Sequence, residues 1–177
     1  MTDAREYGKA LFLISEEDST SDKILAQVKT AEQVFAANPD YVKLLDSPAV
    51  PKEERTGLID KAFVGFDECL INLIKIMIER RCVAYFDKAA AEYSALYDKS
   101  RGIERVEAIT AVPLTDSHRA ALTAKLSANL GKTVVLSNTV DPSILGGVKL
   151  RYAGVQLDGS IKTRLDKFEE ALTNTVI

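Results

Sequence analysis

The chain has 177 residues, 46% of them apolar and 28% charged, with a formal net charge of -3. Such a composition supports one ordinary globular domain or two small ones and excludes a disordered chain. Residues 1–102 hold 14 Lys and Arg against 18 Asp and Glu, and residues 103–177 hold 9 against 8, so neither half offers the clustered cations that bind a phosphate backbone, and no nucleic-acid partner is expected.

The opening MTDAREYGKALF mixes acids and bases before any apolar run, unlike the basic start and apolar core of a secretory signal. It predicts a chain that stays on the side of the membrane where it is made. From residue 3 to about 100, apolar positions recur at three and four, the period of helices. Ala4, Tyr7, Leu11 and Ile14 make a first stripe. Asp22 is placed to cap a second helix with an apolar face of Leu25, Val28, Ala31, Val34 and Phe35, ended by Asn38-Pro39. Tyr41 to Asp46 reads as one turn or two, and Pro51 suits the first turn of a helix running to about Phe63. Two longer helices, about 67–81 and 83–100, close this half at Arg101-Gly102. Connections this short predict about six helices packed antiparallel as a bundle over 1–102.

After Gly102 the period changes. In RVEAITAV, Val106, Ala108, Thr110 and Val112 alternate with Arg105, Glu107, Ile109 and Ala111, which reads as a strand. Thr115 is placed to cap a helix carrying Leu122, Leu126 and Leu130, and Gly131 to close it. KTVVLS reads as a strand, Asp141-Pro142 as a turn, and Val148, Leu150 and Tyr152 as one face of a strand that turns at Ala153-Gly154 into VQL. A last helix from Ser160 would carry Ile161, Leu165, Phe168 and Leu172. The fold class is therefore α+β: an all-α six-helix bundle over 1–102, then a small α+β unit over 103–177.

Motifs for chemistry are weak. LGKTVV ends like a P-loop, but position 126, five before Gly131, is Leu, and the order here is helix then strand, the reverse of a phosphate loop. Gly146-Gly147 precedes a strand pattern, not the helix whose amino terminus would hold an anion, so these glycines turn the chain, with Gly154 and Gly159 supplying positive φ. The basic side chains Lys149, Arg151, Lys162, Arg164 and Lys167 could together meet an acidic partner. Cys69 and Cys82 lie thirteen apart, and His118 is the single histidine, which provides neither a zinc set nor a Cys/His pair. Adjacent acids such as Glu53-Glu54 diverge, and Ser160 lacks a GxSxG context, so no catalytic residue, cofactor site or metal site is assigned.

One segment asks for more. In CLINLIKIMIER, Asn72, Lys75 and Glu79 form a narrow polar stripe, leaving Cys69, Leu70, Ile71, Leu73, Ile74, Ile76, Met77 and Ile78 around most of the circumference. A surface helix has a narrower apolar arc. Either this is the central helix of the bundle, or another chain covers part of it, as an amphipathic helix laid in a groove would. The run is only about half the ~20 residues of a membrane span.

Three stretches together resemble one family. REYGKALF is similar to the start of the delta subunit of bacterial and chloroplast rotary ATP synthases, related to the mitochondrial oligomycin-sensitivity-conferring protein. NLIKIMIER resembles that family's fifth helix, and VDPSILGGVKLRYAGVQLDGSIKTRLDKFEEAL its carboxyl-terminal signature. The resemblance spans essentially the whole chain. It implies a non-catalytic stator subunit whose amino-terminal bundle grips the amino-terminal helices of the alpha subunits, while the second domain holds the peripheral-stalk b subunits. It further implies attachment only through the complex, at the cytoplasmic face of a bacterial plasma membrane or the stromal face of a thylakoid. The family's groove between helices one and five falls on Tyr7, Ala10, Asn72 and Ile76, to which helical spacing adds Leu11 and Glu79. Gly8 stands where the family commonly has Ala, a change that weakens an isolated helix by about 1 kcal/mol. A generic adaptor for some other amphipathic helix is the alternative reading.

Overall fold

The computed structural model describes residues 3–144, 146–152 and 154–159. These form seven α-helices and one four-stranded sheet, an α+β architecture. The chain divides into two units, Met1–Ser100 and Arg101–Ile177.

The first unit holds α1 (Ala4–Glu17), α2 (Ser21–Ala37), α3 (Pro39–Asp46), α4 (Lys52–Ala62), α5 (Glu68–Glu79), a 3-10 turn at Val83–Tyr85 and α6 (Phe86–Ser100). Side chains close to each terminus set the boundaries. Asp3 accepts from the Arg5 amide at 3.1 Å and caps α1. Asp22, expected as a cap, instead lies inside the first turn of α2, where its carboxylate accepts from the Tyr97 hydroxyl. Pro39 occupies the first position of α3, where its missing N–H leaves no helical bond unmade.

Two buried or half-buried polar groups tie helix ends together. Arg55 is 6% exposed and donates to the Leu45 carbonyl at 2.8 Å and the Ile78 carbonyl at 3.2 Å, in the last turns of α3 and α5. A cation there also complements the negative end of each helix dipole. Asp46 accepts from the amides of Val83 and Ala84 at 3.1 and 3.0 Å and so starts the 3-10 turn that leads into α6. Around Phe35 the rings of Phe86, Phe63 and Tyr41 lie 5.1, 5.6 and 6.4 Å away, centred in a core that includes Ile24, Val28, Leu45 and Ile59.

The orientation of α1 differs from its apolar stripe. Its buried residues are Ala4, Gly8, Leu11 and Ser15, whereas Tyr7 is half-buried and Ile14 is 45% exposed. The cause is a close approach to α6. A Cβ on Gly8 would fall on the Ala89 carbonyl oxygen and 3.1 Å from the Tyr93 amide nitrogen. Ser15 is buried for a second reason: its hydroxyl shares a 2.9 Å bond with the Tyr93 hydroxyl, which also donates to the Ser21 carbonyl at 3.1 Å. A stripe counted by hydropathy alone misses a glycine and a serine that face inward.

The second unit is a sheet of order β2-β1-β3-β4. β1 (Ile103–Thr110) runs parallel to β2 (Thr133–Val140) through the crossover helix α7 (Asp116–Leu130). β1 also pairs antiparallel with β3 (Val148–Tyr152), which turns into β4 (Val155–Asp158). Val106, Ala108 and Thr110 face inward as their alternation predicts, but Val112 lies beyond the strand end and is 69% exposed. Thr115 caps α7, accepting from the His118 amide at 3.3 Å, and Gly131 closes it at φ 63°. Gly131 and Lys132 therefore connect helix to strand, and Lys132 pairs with Glu104 at 2.8 Å instead of facing a phosphate. Gly154 turns the β3–β4 connection at φ 77°; Gly159 lies outside the left-handed region, and its amide donates to the Val148 carbonyl at 3.0 Å. The last helix expected from Ser160 lies outside the described residues.

Gly8→Ala provides the test of the α1–α6 contact. Propensity alone would raise stability by about 1 kcal/mol, but overpacking against backbone costs roughly 1–3 kcal/mol and cannot be relieved by a rotamer change. Urea titration of the full chain should show a net loss of stability; a net gain would mean that α1 and α6 do not meet at Gly8.

Candidate functional site

α1 and α5 lie against each other and run in opposite directions. Near the start of α1, Tyr7 sits beside Cys82 and Arg80, just past the end of α5; Asp18, at the end of α1, acts electrostatically on Cys69 in the first turn of α5. Two rows of side chains therefore run alongside one another. On α1 the row is Tyr7, Ala10 and Ile14, half-buried, exposed and exposed in turn. On α5 it is Cys69, Asn72, Ile76 and Glu79, of which only Cys69 is half-buried and the rest are exposed. Spacings of three and four keep each row on one face of its helix.

The apolar surplus of α5 is smaller than its wheel suggests. Leu70, Leu73, Ile74, Met77 and Ile78 are buried in the unit's own core, while Cys69 and Ile71 are half-covered. Ile76 remains, 47% exposed, between Asn72 and Glu79. Lys75, counted in the polar stripe, reaches Asp60 of α4 at 2.6 Å, so α4 covers that flank. Glu79 is held by Lys52 at 2.7 Å.

Of the six residues expected at a partner surface, Tyr7, Ala10, Asn72, Ile76 and Glu79 reach the surface on these two helices. Leu11 does not. It is 3% exposed and belongs to the core, because the Gly8 contact turns that side of α1 inward. Ile14 takes its place on the outer row, with Leu13 beside it at 55% exposure. Its spacing of four from Ala10 was visible in the sequence, but the rotation of α1 was not.

Tyr7 and its neighbour Cys82 are both held in their neutral forms. Burial, with the neighbouring Cys82 thiol, pushes the Tyr7 phenol above its ordinary value. Burial likewise pushes Cys82 up, so it is a protonated thiol near neutrality and not an activated nucleophile. Cys69 is raised by burial and by Asp67 and Asp18. Both cysteines are free.

Both helices end in the same backbone device. Beyond α1, the Ser19 amide bonds to the Glu16 carbonyl and the Thr20 amide to Ser15; beyond α5, Arg81 bonds to Ile78 and Cys82 to Met77. These are Schellman closures, whose left-handed residue is usually Gly. Here it is Ser19 at φ 56° and Arg81 at φ 53°, conformations that cost an L-residue on the order of 1 kcal/mol. The α5 start is fixed as firmly. Asp67 caps it through the Cys69 amide at 3.2 Å, takes Lys23 of α2 at 3.1 Å, and donates its own amide to Gln27 at 2.9 Å.

In the second unit the two described members of the basic strip are paired. Lys149 pairs with Asp158 at 3.2 Å and Arg151 with Glu107 at 3.3 Å. Lys162, Arg164 and Lys167 lie outside the described residues. Among the described residues no three His, Cys, Asp or Glu side chains converge as metal ligands, and no helix is long and apolar enough to cross a membrane.

The first unit thus presents a half-apolar row on two adjacent helices, and the second is a separate α+β unit. The family model "ATP synthase delta (OSCP) subunit" matches residues 4–172. "ATP synthase subunit delta" of Clostridioides difficile strain 630 is 31% identical over 175 residues, covering 98% of this chain and 97% of that one. "ATP synthase subunit delta 1" of Syntrophotalea carbinolica is 34% identical over 164 residues, covering 92% of each. A chain in the cryo-EM structure of the Toxoplasma gondii mitochondrial ATP synthase hexamer shares the fold, with a TM-score of 0.75 at 20% identity over 98% of both chains. The chain belongs to the ATP synthase delta (OSCP) subunit family. It is accordingly a structural subunit, not a catalytic one.

Asp67 makes the α5 start sensitive to pH. The Lys23 hydrogen bond first, and then the Cys69 amide, hold its carboxyl below the usual carboxylate range. Because the folded value lies below the unfolded one, the stabilisation is complete above about pH 4 and is lost as pH falls through the folded value. Asp67→Asn keeps a cap but not the charge, so it should cost about 0.5–1 kcal/mol at pH 7. Urea midpoints at pH 7 and in acid should show that deficit shrinking as the pH falls.

Proposed function

We propose that the chain is the stator link of a rotary ATP synthase, holding the catalytic head to the peripheral stalk so that the head resists the torque of the rotor during proton-driven synthesis. In this reading residues 1–102 act as one six-helix bundle that grips the amino-terminal helices of the alpha subunits, and residues 103–177 hold the b subunits. The chain meets the membrane only through the complex, peripherally, at the cytoplasmic face of a bacterial plasma membrane.

The observation that carries this is the pair of outward rows on antiparallel helices, Tyr7, Ala10 and Ile14 beside Asn72, Ile76 and Glu79. An amphipathic helix lying along both rows would bury Ile76 and Ile14, each about half exposed in the free chain. It would meet Ala10, small enough to let a helix approach, and Asn72, which can bond to side chains of the incoming helix. A standard interface buries about 1,600 Å², and nanomolar affinity corresponds to about 12 kcal/mol. A stator needs such slow release. Family membership supports the setting, and the ordered helix ends support a surface formed before the partner arrives.

The chain has no Trp, so an alpha-subunit amino-terminal peptide carrying one Trp reports its own binding. Its emission should shift to the blue on adding the full chain. Ile76→Asp and Ala10→Asp, both at exposed positions, should weaken binding by tenfold or more while leaving the urea midpoint close to that of the parent. No shift at micromolar protein would refute the assignment, and equal binding of an unrelated amphipathic helix would favour a generic adaptor.

A further inference from the structure

Beyond the end of α5 the two rows open into a cleft of about 710 Å³ whose walls include Asp3, Tyr7, Arg80, Arg81, Tyr85 and Lys88. Its charge is unbalanced. Three cations face one carboxylate, and that carboxylate is already engaged: Asp3 is held by Arg5 at 2.6 Å. Two other nearby acids are also occupied, Glu79 by Lys52 and Asp46 by the amides of Val83 and Ala84. Lys88 lies over the Tyr85 ring, 4.8 Å from its centroid. Among the described residues neither the Arg80 nor the Arg81 guanidinium makes an ion pair or a hydrogen bond.

Arg81 adds a separate observation. It holds the left-handed position of the α5 closure at φ 53°, where glycine would sit without strain. Strain kept at one position is a reason to look for what its side chain does. Tyr7 belongs both to the outward row of α1 and to the cleft wall, so the cleft continues the row.

We propose that this cleft receives carboxylates from the first turn of the partner helix that lies along α1 and α5, with Arg80 and Arg81 as their ion-pair partners. The proposal rests on the partner-helix reading above and adds the chemistry of one end of it. Charge complementarity selects the occupant. Two free guanidiniums fit planar carboxylates, and acidic side chains are favoured at the start of a helix by its own dipole.

The test uses the full chain and two Trp-bearing alpha-subunit peptides that differ only in the first turn, one with two Glu there and its twin with two Gln. At low salt the Glu peptide should bind about five- to tenfold more tightly, a gap expected of two partly screened charge pairs. Raising the salt to about 0.3 M should shrink the gap, since the Debye length contracts. Arg81→Gly should remove much of it without lowering the melting temperature, because glycine suits the backbone there; Arg80→Gln should do the same through charge alone. Equal affinity of both peptides for the parent chain, or a gap unchanged in Arg81→Gly and Arg80→Gln, would overturn the proposal and leave the groove intact. Failure of both peptides to bind at micromolar protein would overturn the groove reading and this one with it.

Discussion

The first unit depends on one backbone contact, the approach of α1 to α6 at Gly8. A side chain there would collide with the Ala89 carbonyl, so the helix axes can be this close only without one. That approach sets the rotation of α1 about its axis. With Gly8 inward, Leu11 and Ser15 follow it into the core, and Tyr7, Ala10 and Ile14 turn outward. Ser15 then meets the Tyr93 hydroxyl, which is tied in turn to the start of α2 through the Ser21 carbonyl. The outward row and a buried polar network are two sides of the same rotation.

The economy of α5 follows from the same packing. Five of its apolar side chains are needed by the unit's own core, and Ile76 is the large one left more than a third exposed. A surface this narrow cannot bind tightly through apolar area alone. It gains by being held still: Asp67 and Gln27 anchor the start of α5, and Arg55 ties its last turn to that of α3. Ordering a surface before binding removes an entropic cost from the encounter. In the proposed binding mode, small polar contributions around Ile76, from Asn72 and from the cations past Glu79, would therefore carry more weight than on a broad greasy face.

Much of this could be read from residue order because helix and strand periods leave a clear imprint. Pro51 marks a helix start, Thr115 and Gly131 bracket α7, and the alternation of Val106, Ala108 and Thr110 marks β1, while Pro39, read as the end of α2, also opens α3. What escaped was rotational phase. Gly8 and Ser15 carry no hydropathy signal, so the stripe through Tyr7 and Ile14 looked like the buried one, and Leu11 looked available to a partner when it is core. Asp22 looked like a cap because its type suits the position, yet its carboxylate serves Tyr97 across the unit, a contact with no local trace. The burial of Arg55 was equally invisible, since nothing in KEERTGLI shows that two carbonyl ends converge on it.

Charge was the least legible quantity, because it depends on which groups the fold leaves unpaired. Lys149 and Arg151 stand in a conspicuous basic run, yet the sheet register sets Lys149 against Asp158 and Arg151 against Glu107, and their charge is met within the sheet. Arg80 and Arg81 are an unremarkable pair in the sequence, and among the described residues neither guanidinium makes an ion pair. The helix ends sharpen the contrast. At the close of α7 the left-handed position is Gly131, the residue that takes it without strain; the Schellman closures of α1 and α5 place Ser19 and Arg81 there. Since α1 stops in the same way with serine, the stop itself does not require arginine. What distinguishes Arg81 is the cleft in front of it, with Tyr7 on one wall and, on another, two guanidiniums that make no ion pair among the described residues. Position in a cleft, and not density of charge along the chain, separates a surface that solvates the protein from one that can hold a neighbour.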